Sequence, residues 1–161
     1  MVVHNIEPLY NGDSKILILG SFPSVKSREA EFFYAHPQNR FWKVVAAVFG
    51  EKVPLDIDEK KALILNHNLA VYDVIYSCEI TGSSDSSVKN VVPSDLEPII
   101  ANSKITKVFV NGRTAEKYYR KYSLKAMGIE CVVLPSTSPA NAAYSLDKLV
   151  SKWQIIKDEI K

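Results

Sequence analysis

The sequence predicts an α/β fold: three layers, α/β/α, around a central, mainly parallel sheet of four strands. Two observations lead there. Four short apolar runs lack the in–out alternation of a half-solvated strand, and amphipathic helical patterns lie between them. Unbroken runs suit strands buried on both faces, and strands that alternate with helices must be joined by crossovers returning over the sheet. The first strand is Lys15-Ile-Leu-Ile-Leu-Gly20. A helix over 40–49 follows, with apolar residues at 41, 44, 45, 48 and 49 and Gly50 as its stop. Residues 58–66 form a shorter helix, and Leu69-Ala-Val-Tyr-Asp-Val-Ile75 the second strand. Ser94-Asp-Leu-Glu97 has the pattern of a capping box opening a helix to about 102, with Pro98 in its first turn. The third strand is Lys107-Val-Phe-Val-Asn111, followed by a helix over 113–122, and the fourth is Cys131-Val-Val-Leu-Pro135. The last helix, 145–160, places Leu146, Leu149, Val150, Trp153, Ile156 and Ile160 on one stripe.

With 161 residues, 47% hydrophobic and 24% charged, the chain fits one domain, 1–161, able to bury a core without disulfide or metal staples. Its net charge of +2 excludes a histone-like polycation and permits a local basic face. Cys78 and Cys131, two cysteines far apart in apolar surroundings, cannot form a four-cysteine metal site; they read as buried thiols of a cytoplasmic protein, with a lone disulfide as the alternative. Residues 1–7 lack a signal-peptide pattern, and no run approaches the roughly 18 apolar residues of a membrane span.

In parallel α/β sheets the site lies beyond the carboxyl ends of the strands, so the segments that follow the strands are the candidates. Gly20-Ser-Phe-Pro-Ser24 is a tight turn that lacks either glycine-rich phosphate-binding pattern. Phe32-Phe-Tyr-Ala-His-Pro-Gln-Asn-Arg-Phe-Trp42 interleaves aromatic and polar side chains as a pocket for a flat ring would. It also reads as a loop that packs its rings on the sheet and caps the next helix with Asn39. Asn111-Gly112 can be a plain turn or can offer an amide to a ligand edge. Pro135-Ser-Thr-Ser-Pro-Ala-Asn141 is either a surface turn or a rigid anion-holding loop. His4 and His67 have no supporting context, so neither a metal nor a cofactor is expected.

Gly20-Ser-Phe-Pro-Ser24 together with Tyr34-Ala-His-Pro-Gln-Asn-Arg-Phe-Trp42 resembles the first motif of the uracil-DNA glycosylase superfamily. The second stretch is similar to the mismatch-specific branch in particular. Phe22 stands where that branch carries a catalytic asparagine, while Asn39 is kept. This combination resembles the hypoxanthine-DNA glycosylase family, whose catalytic asparagine is the one matched by Asn39. Leu134-Pro-Ser-Thr-Ser-Pro-Ala-Asn141 and Val108-Phe-Val-Asn-Gly112 match that family too, so the resemblance runs from about residue 15 to the last helix. One segment departs: Ser77-Cys-Glu-Ile-Thr-Gly-Ser-Ser-Asp-Ser86 has Ile80 where the family carries arginine.

The resemblance implies a uracil-DNA glycosylase-like fold and a monofunctional DNA glycosylase of base excision repair. Such an enzyme flips a deaminated base out of the helix and hydrolyses its N-glycosidic bond, here hypoxanthine in preference to uracil. Asn39 becomes the catalytic residue, holding a water at the sugar carbon or bonding the departing base. Gly20, Ser21, Phe22, Tyr34 and Asn111 become the base pocket, with Tyr34 as the stacking ring. Ser24, His36, Ser136, Ser138 and Asn141 become the DNA contacts. No carboxylate lies in the first turn, so the base is expected to leave before a weakly activated water adds. The partner is DNA containing a deaminated base, with no metal and no membrane. A monomer is expected, cytoplasmic and nucleoid-associated when at work. Two rivals remain. One is a non-catalytic DNA- or nucleotide-binding module on the same fold. The other is a hydrolase using Ser14 of Gly12-Asp-Ser14, which requires Ser14 near His36.

Overall fold

The computed structural model describes residues 1–160. At its centre β2 (Ile16–Gly20) pairs with β3 (Leu69–Asp73) on one side and β6 (Lys107–Asn111) on the other. Strand β7 (Cys131–Leu134) completes the order β3-β2-β6-β7, and every pairing is parallel. The aliphatic side chains of β2 and β3 are buried on both faces, which accounts for runs without alternation.

Helices cover the sheet. Helix α2 (Phe41–Val48) buries Phe41, Trp42, Val44, Val45, Ala46 and Val48, and packs on α7 (Leu146–Trp153) through an edge-to-face contact of Phe41 with Trp153 at 5.8 Å. Helix α3 (Ile57–Asn66), capped by Asp56, leads into β3, and α5 (Arg113–Tyr118) follows β6. Trp153 is wholly buried and donates its indole N–H to the carbonyl of Pro135 at 3.0 Å, which ties the last helix to the loop after β7. Removing a side chain of this size from a core costs about 3–5 kcal/mol.

Three expectations need correction. The second apolar run is not one strand. After Asp73 the chain bends, with Val74 and Ile75 donating to the carbonyls of Gly20 and Ser21. It then enters β4 (Ile75–Glu79), the centre of a second, antiparallel sheet with β1 (Val2–Val3) and β5 (Lys89–Pro93). The capping box does not form. Ser94 donates its backbone N–H to Val74 and buries a hydroxyl without a partner, while Asp95 accepts the N–H of Glu97 at the start of the short α4 (Glu97–Ala101). The last helix is interrupted at Gln154, between α7 and α8 (Ile155–Asp158), although Gln154 keeps helical dihedrals. Leu149, Trp153 and Ile156 of the stripe are buried, and Leu146 is not. A helix over Val25–Ala30, α1, was not anticipated; Ser24 caps it by accepting the N–H of Ser27 at 3.2 Å. Near residue 122 the predicted helix passes through a wide π turn, Tyr119–Ser123, into α6 (Leu124–Met127).

Candidate active site

The carboxyl ends of β2, β3, β6 and β7 open into a cavity of about 920 Å³. Gly20, Ser21, Phe22, Ser24, Tyr34, His36, Asn39, Asn111, Ser136, Ser138 and Asn141 all line it. Ser14 lies at the other end of β2, buried, with its hydroxyl donated to the carbonyl of Leu69 at 2.9 Å. A strand of five residues, roughly 16 Å, separates it from the cavity, which removes the Ser14 hydrolase reading.

Gly20 is required here by crowding. A Cβ on it would stand 2.5 Å from Asp73 Oδ1 and 2.9 Å from the Tyr34 hydroxyl oxygen. Tyr34 itself takes a left-handed backbone, φ 51°, and stacks on Phe41 at 4.0 Å. Phe41 therefore occupies one face of the ring, and only the other face or the edge can serve the cavity. Burial pushes the Tyr34 phenol far above its ordinary value; the Asp73 carboxylate adds to the rise, and the Asn111 side chain opposes it. Tyr34 thus stays an O–H donor at every working pH, and its buried oxygen has no hydrogen-bond partner among the described residues. Phe22 meets the ring of His4 edge-on at 6.1 Å, with the Arg28 guanidinium over it at 5.7 Å.

The N-cap of α2 is Arg40, without a side-chain capping bond, so Asn39 does not cap the helix as expected; it sits one residue earlier, braces the first turn and lines the cavity. Its Oδ1 accepts the backbone N–H of Phe41 at 2.9 Å and the Thr137 hydroxyl at 2.9 Å, which fixes the amide plane. Its Nδ2 donates to no protein group among the described residues and remains available to a ligand. Thr137, fully buried, is the hub of this network. Its Oγ1 also accepts from Asn111 Nδ2 at 3.0 Å, and its N–H donates to Asn111 Oδ1 at 3.1 Å. A chain of hydrogen bonds therefore runs from the end of β6 through the loop after β7 to the start of α2. Such a chain holds its members more firmly than isolated pairs would be held.

Arg40 stabilises the loop after β7 from below. Its guanidinium donates to the carbonyls of Ser138 at 2.8 Å, of Asn141 at 3.1 Å and of Tyr144, and its backbone N–H to that of Thr137 at 3.0 Å. Asn141 Nδ2 closes the loop on the carbonyl of Ser136 at 3.0 Å, and Ser136 Oγ accepts the N–H of Ser138 at 3.1 Å. Gly112, at φ 94°, gives this loop room, since a Cβ there would meet that of Ser136 at 3.1 Å. His36 accepts the N–H of Gln38 on Nδ1 at 3.1 Å, which leaves Nε2 as its donor. The hydroxyl of Ser24 is engaged in capping α1.

Three contributors were not singled out as site residues: Thr137 and Arg40, which lie inside the two quoted motifs without a role assigned to them, and the buried pair His4–Asp73, whose Nε2 and Oδ2 are 2.7 Å apart and which lies in neither. An acidic residue closing an otherwise apolar strand was the one available clue to Asp73, because that position opens onto the ligand side of a parallel sheet. Among the described residues no group of three or more His, Cys, Asp or Glu could hold a metal ion, and no helix is long and apolar enough to cross a membrane. Cys78 and Cys131 are free and buried.

The parallel α/β sheet carries an open pocket with fixed amides at its carboxyl edge, and comparison with known proteins identifies the class to which it belongs. The sequence model described as the uracil DNA glycosylase superfamily matches residues 7–158, and the chain belongs to that superfamily: it is a DNA glycosylase. It is similar to two proteins named hypoxanthine DNA glycosylase. The one from Methanosarcina acetivorans is 32% identical over 158 residues, covering 97% of this chain and 98% of the relative. The one from Methanosarcina barkeri is 29% identical over 150 residues, 91% and 92% of the two. The solution NMR structure of a candidate uracil DNA glycosylase from M. acetivorans superposes with a TM-score of 0.84 at 28% identity, over 99% of both chains.

Proposed function

We propose that this glycosylase removes hypoxanthine from inosine-containing DNA, and uracil poorly, after turning the nucleotide out of the helix into the cavity. The observation that carries the reading is the fixed Asn39 amide. Its oxygen is held by Phe41 and Thr137, so its N–H groups are directed without reorganisation. Two relatives named for hypoxanthine support the choice of base. Phe22 gives the turn after β2 an apolar wall in place of an amide, and the Tyr34 edge adds an aromatic one.

In this reading the glycosidic bond loosens first, and positive charge grows on the sugar while electrons move into the purine. Asn39 Nδ2 donates to the departing base or holds the water that adds to the sugar. One oriented donor of this kind is worth about 10²–10³ in rate. The hydroxyls of Ser136 and Ser138 and the side chain of Asn141 sit at the rim, where phosphates either side of the flipped nucleotide would lie, with His36 Nε2 a further donor.

The test is single-turnover excision from duplexes carrying one inosine, xanthosine or uridine in the deoxy series. Hypoxanthine release should exceed uracil release, and Asn39→Ala should lose at least about 10²-fold in rate with DNA affinity kept. Robust uracil release without hypoxanthine release would reverse the base assignment. Near-normal turnover of Asn39→Ala would remove Asn39 from the chemistry.

A further inference from the structure

On the β3 side of the cavity lies a carboxylate that the reaction outlined above does not use. Asp73 ends β3, faces Gly20 in register, lines the cavity and is only 4% exposed. Its Oδ2 accepts from His4 Nε2 at 2.7 Å. His4 is itself buried, and its Nδ1 accepts the backbone N–H of Ile6 at 3.2 Å. The ring proton is therefore on Nε2, and the imidazole supports the carboxylate as a neutral donor. The backbone N–H of His4 in turn donates to the carbonyl of Tyr76 at 2.6 Å, next to β1. Asp73 Oδ1 receives no hydrogen bond among the described residues. It points at the gap above Gly20, beside the Tyr34 hydroxyl. Burying a carboxylate is costly unless its oxygens are satisfied, so an oxygen left open in a ligand cavity marks a place for a donor from the ligand.

We propose that Asp73 is the specificity-determining residue for deaminated bases, its Oδ1 accepting the ring N–H that deamination creates. This rests on the cavity being the base pocket. Adenine and cytosine present a bare ring nitrogen on the pairing edge. Replacing the exocyclic amine by a carbonyl places a proton on that nitrogen, N1 in hypoxanthine and N3 in uracil. A carboxylate accepts from the protonated nitrogen and repels the lone pair of the bare one. The same oxygen thus admits the lesion and rejects its parent base. Guanine also carries N1–H, so Asp73 separates hypoxanthine from adenine, while other contacts must separate it from guanine. His4 is the positioning residue that keeps Oδ2 engaged and Oδ1 turned to the ligand. Sites built to bond a particular N–H reject analogues that lack it far more strongly than apolar pockets reject a change in size.

The experiment pairs a change in the base with a change in the protein. Single-turnover excision is measured on duplexes holding deoxyinosine or its N1-methyl derivative, with the wild-type chain and with Asp73→Ala. Methylation should slow the wild type at least about 10²-fold. Asp73→Ala should be slow on inosine but lose less than about threefold more on methylation, because the acceptor is gone and space has opened; the two changes are then coupled. His4→Gln, which keeps a donor for Oδ2, should retain more of the preference for inosine over its methyl derivative than His4→Ala. A wild type that excises both substrates within threefold would overturn the proposal without needing any variant to fold, and would leave hypoxanthine release standing. Equal methylation penalties in the wild type and Asp73→Ala would overturn it too. If the wild type excises uracil and not hypoxanthine, the base assignment fails separately. Asp73 then predicts the same loss on N3-methyldeoxyuridine, and the absence of that loss would overturn it.

Discussion

Thr137→Val keeps the shape of a fully buried side chain and removes one hydroxyl. That hydroxyl makes two hydrogen bonds, to Asn39 Oδ1 at 2.9 Å and from Asn111 Nδ2 at 3.0 Å. Asn39 Oδ1 keeps the N–H of Phe41, so its loss is one net bond, about 1 kcal/mol. Asn111 Nδ2 loses its acceptor in a half-buried position, which adds about 1–2 kcal/mol. The sum, about 2–3 kcal/mol, lowers Tm by roughly 5–10 °C in a chain of this size. The larger effect is on rate. With one of two restraints gone, the Asn39 amide rocks about its bond to Phe41, and a misplacement of about 1 Å at a reacting group costs up to 10²-fold. Single-turnover excision of hypoxanthine should fall about 10- to 100-fold. Affinity for the same duplex should change little, because Thr137 is buried away from the rim. Thr137→Ser, which restores the hydroxyl, should recover most of the rate. A Thr137→Val enzyme that melts earlier yet cleaves within twofold of wild type would show that the network supports the loop and does not aim Asn39.

Gly20→Ala should abolish excision and cost about 1–3 kcal/mol, because the new methyl collides with Asp73 and Tyr34; thermal melts and the excision assay check both. Arg40→Lys replaces a fork that reaches three carbonyls by a single ammonium, so the loop around 138–144 should become sensitive to protease and affinity for DNA should fall more than the rate of the bound complex. The chain should lose stability at alkaline pH. Burial pushes Tyr72 and Tyr119 up to about 12 and Tyr34 further, so the folded state holds protons that the unfolded chain has released. The stability from these neutral phenols is complete below about pH 10 and declines as pH rises from there through the folded values. The share of the phenolate absorbance that a Tyr72→Phe or Tyr119→Phe variant removes should therefore appear only as circular dichroism is lost in that window, and its appearance well before unfolding would contradict the burial of these rings.

The parallel sheet was legible because strands buried on both faces leave apolar runs that nothing else in the chain imitates, as in Ile16–Gly20 and Lys107–Asn111. The antiparallel sheet was not. Strand β1 is two residues long, β5 is mostly exposed, and the register of β4 on β5 shifts twice, so no two-residue period survives. The end of β3 was blurred because Val74 and Ile75 continue the apolar run although the backbone has already turned toward the Gly20–Ser21 carbonyls. The lining of the cavity was largely visible, since aromatic and amide side chains crowd one loop and the other candidates follow strands. Thr137 was hidden among neighbouring hydroxyls with no spacing to set it apart, and His4 met Asp73 across 69 positions of sequence. Asn39 looked like a choice between capping and chemistry. An amide has an oxygen and a nitrogen, and the fold engages the first with Phe41 and Thr137 and leaves the second open to a ligand.

The strand order β3-β2-β6-β7 has a consequence for how the chain acquires its function. Gly20, Asp73, Asn111 and Thr137 come from four segments spread along the sequence, and no two of them approach until parallel pairings with long intervening crossovers have formed. Such pairings close late and slowly. A nascent or partly refolded chain can hold its local helices and still lack the assembled cavity. During refolding, base-excising competence should return in step with the last cooperative phase, with no earlier intermediate able to attack a nucleobase.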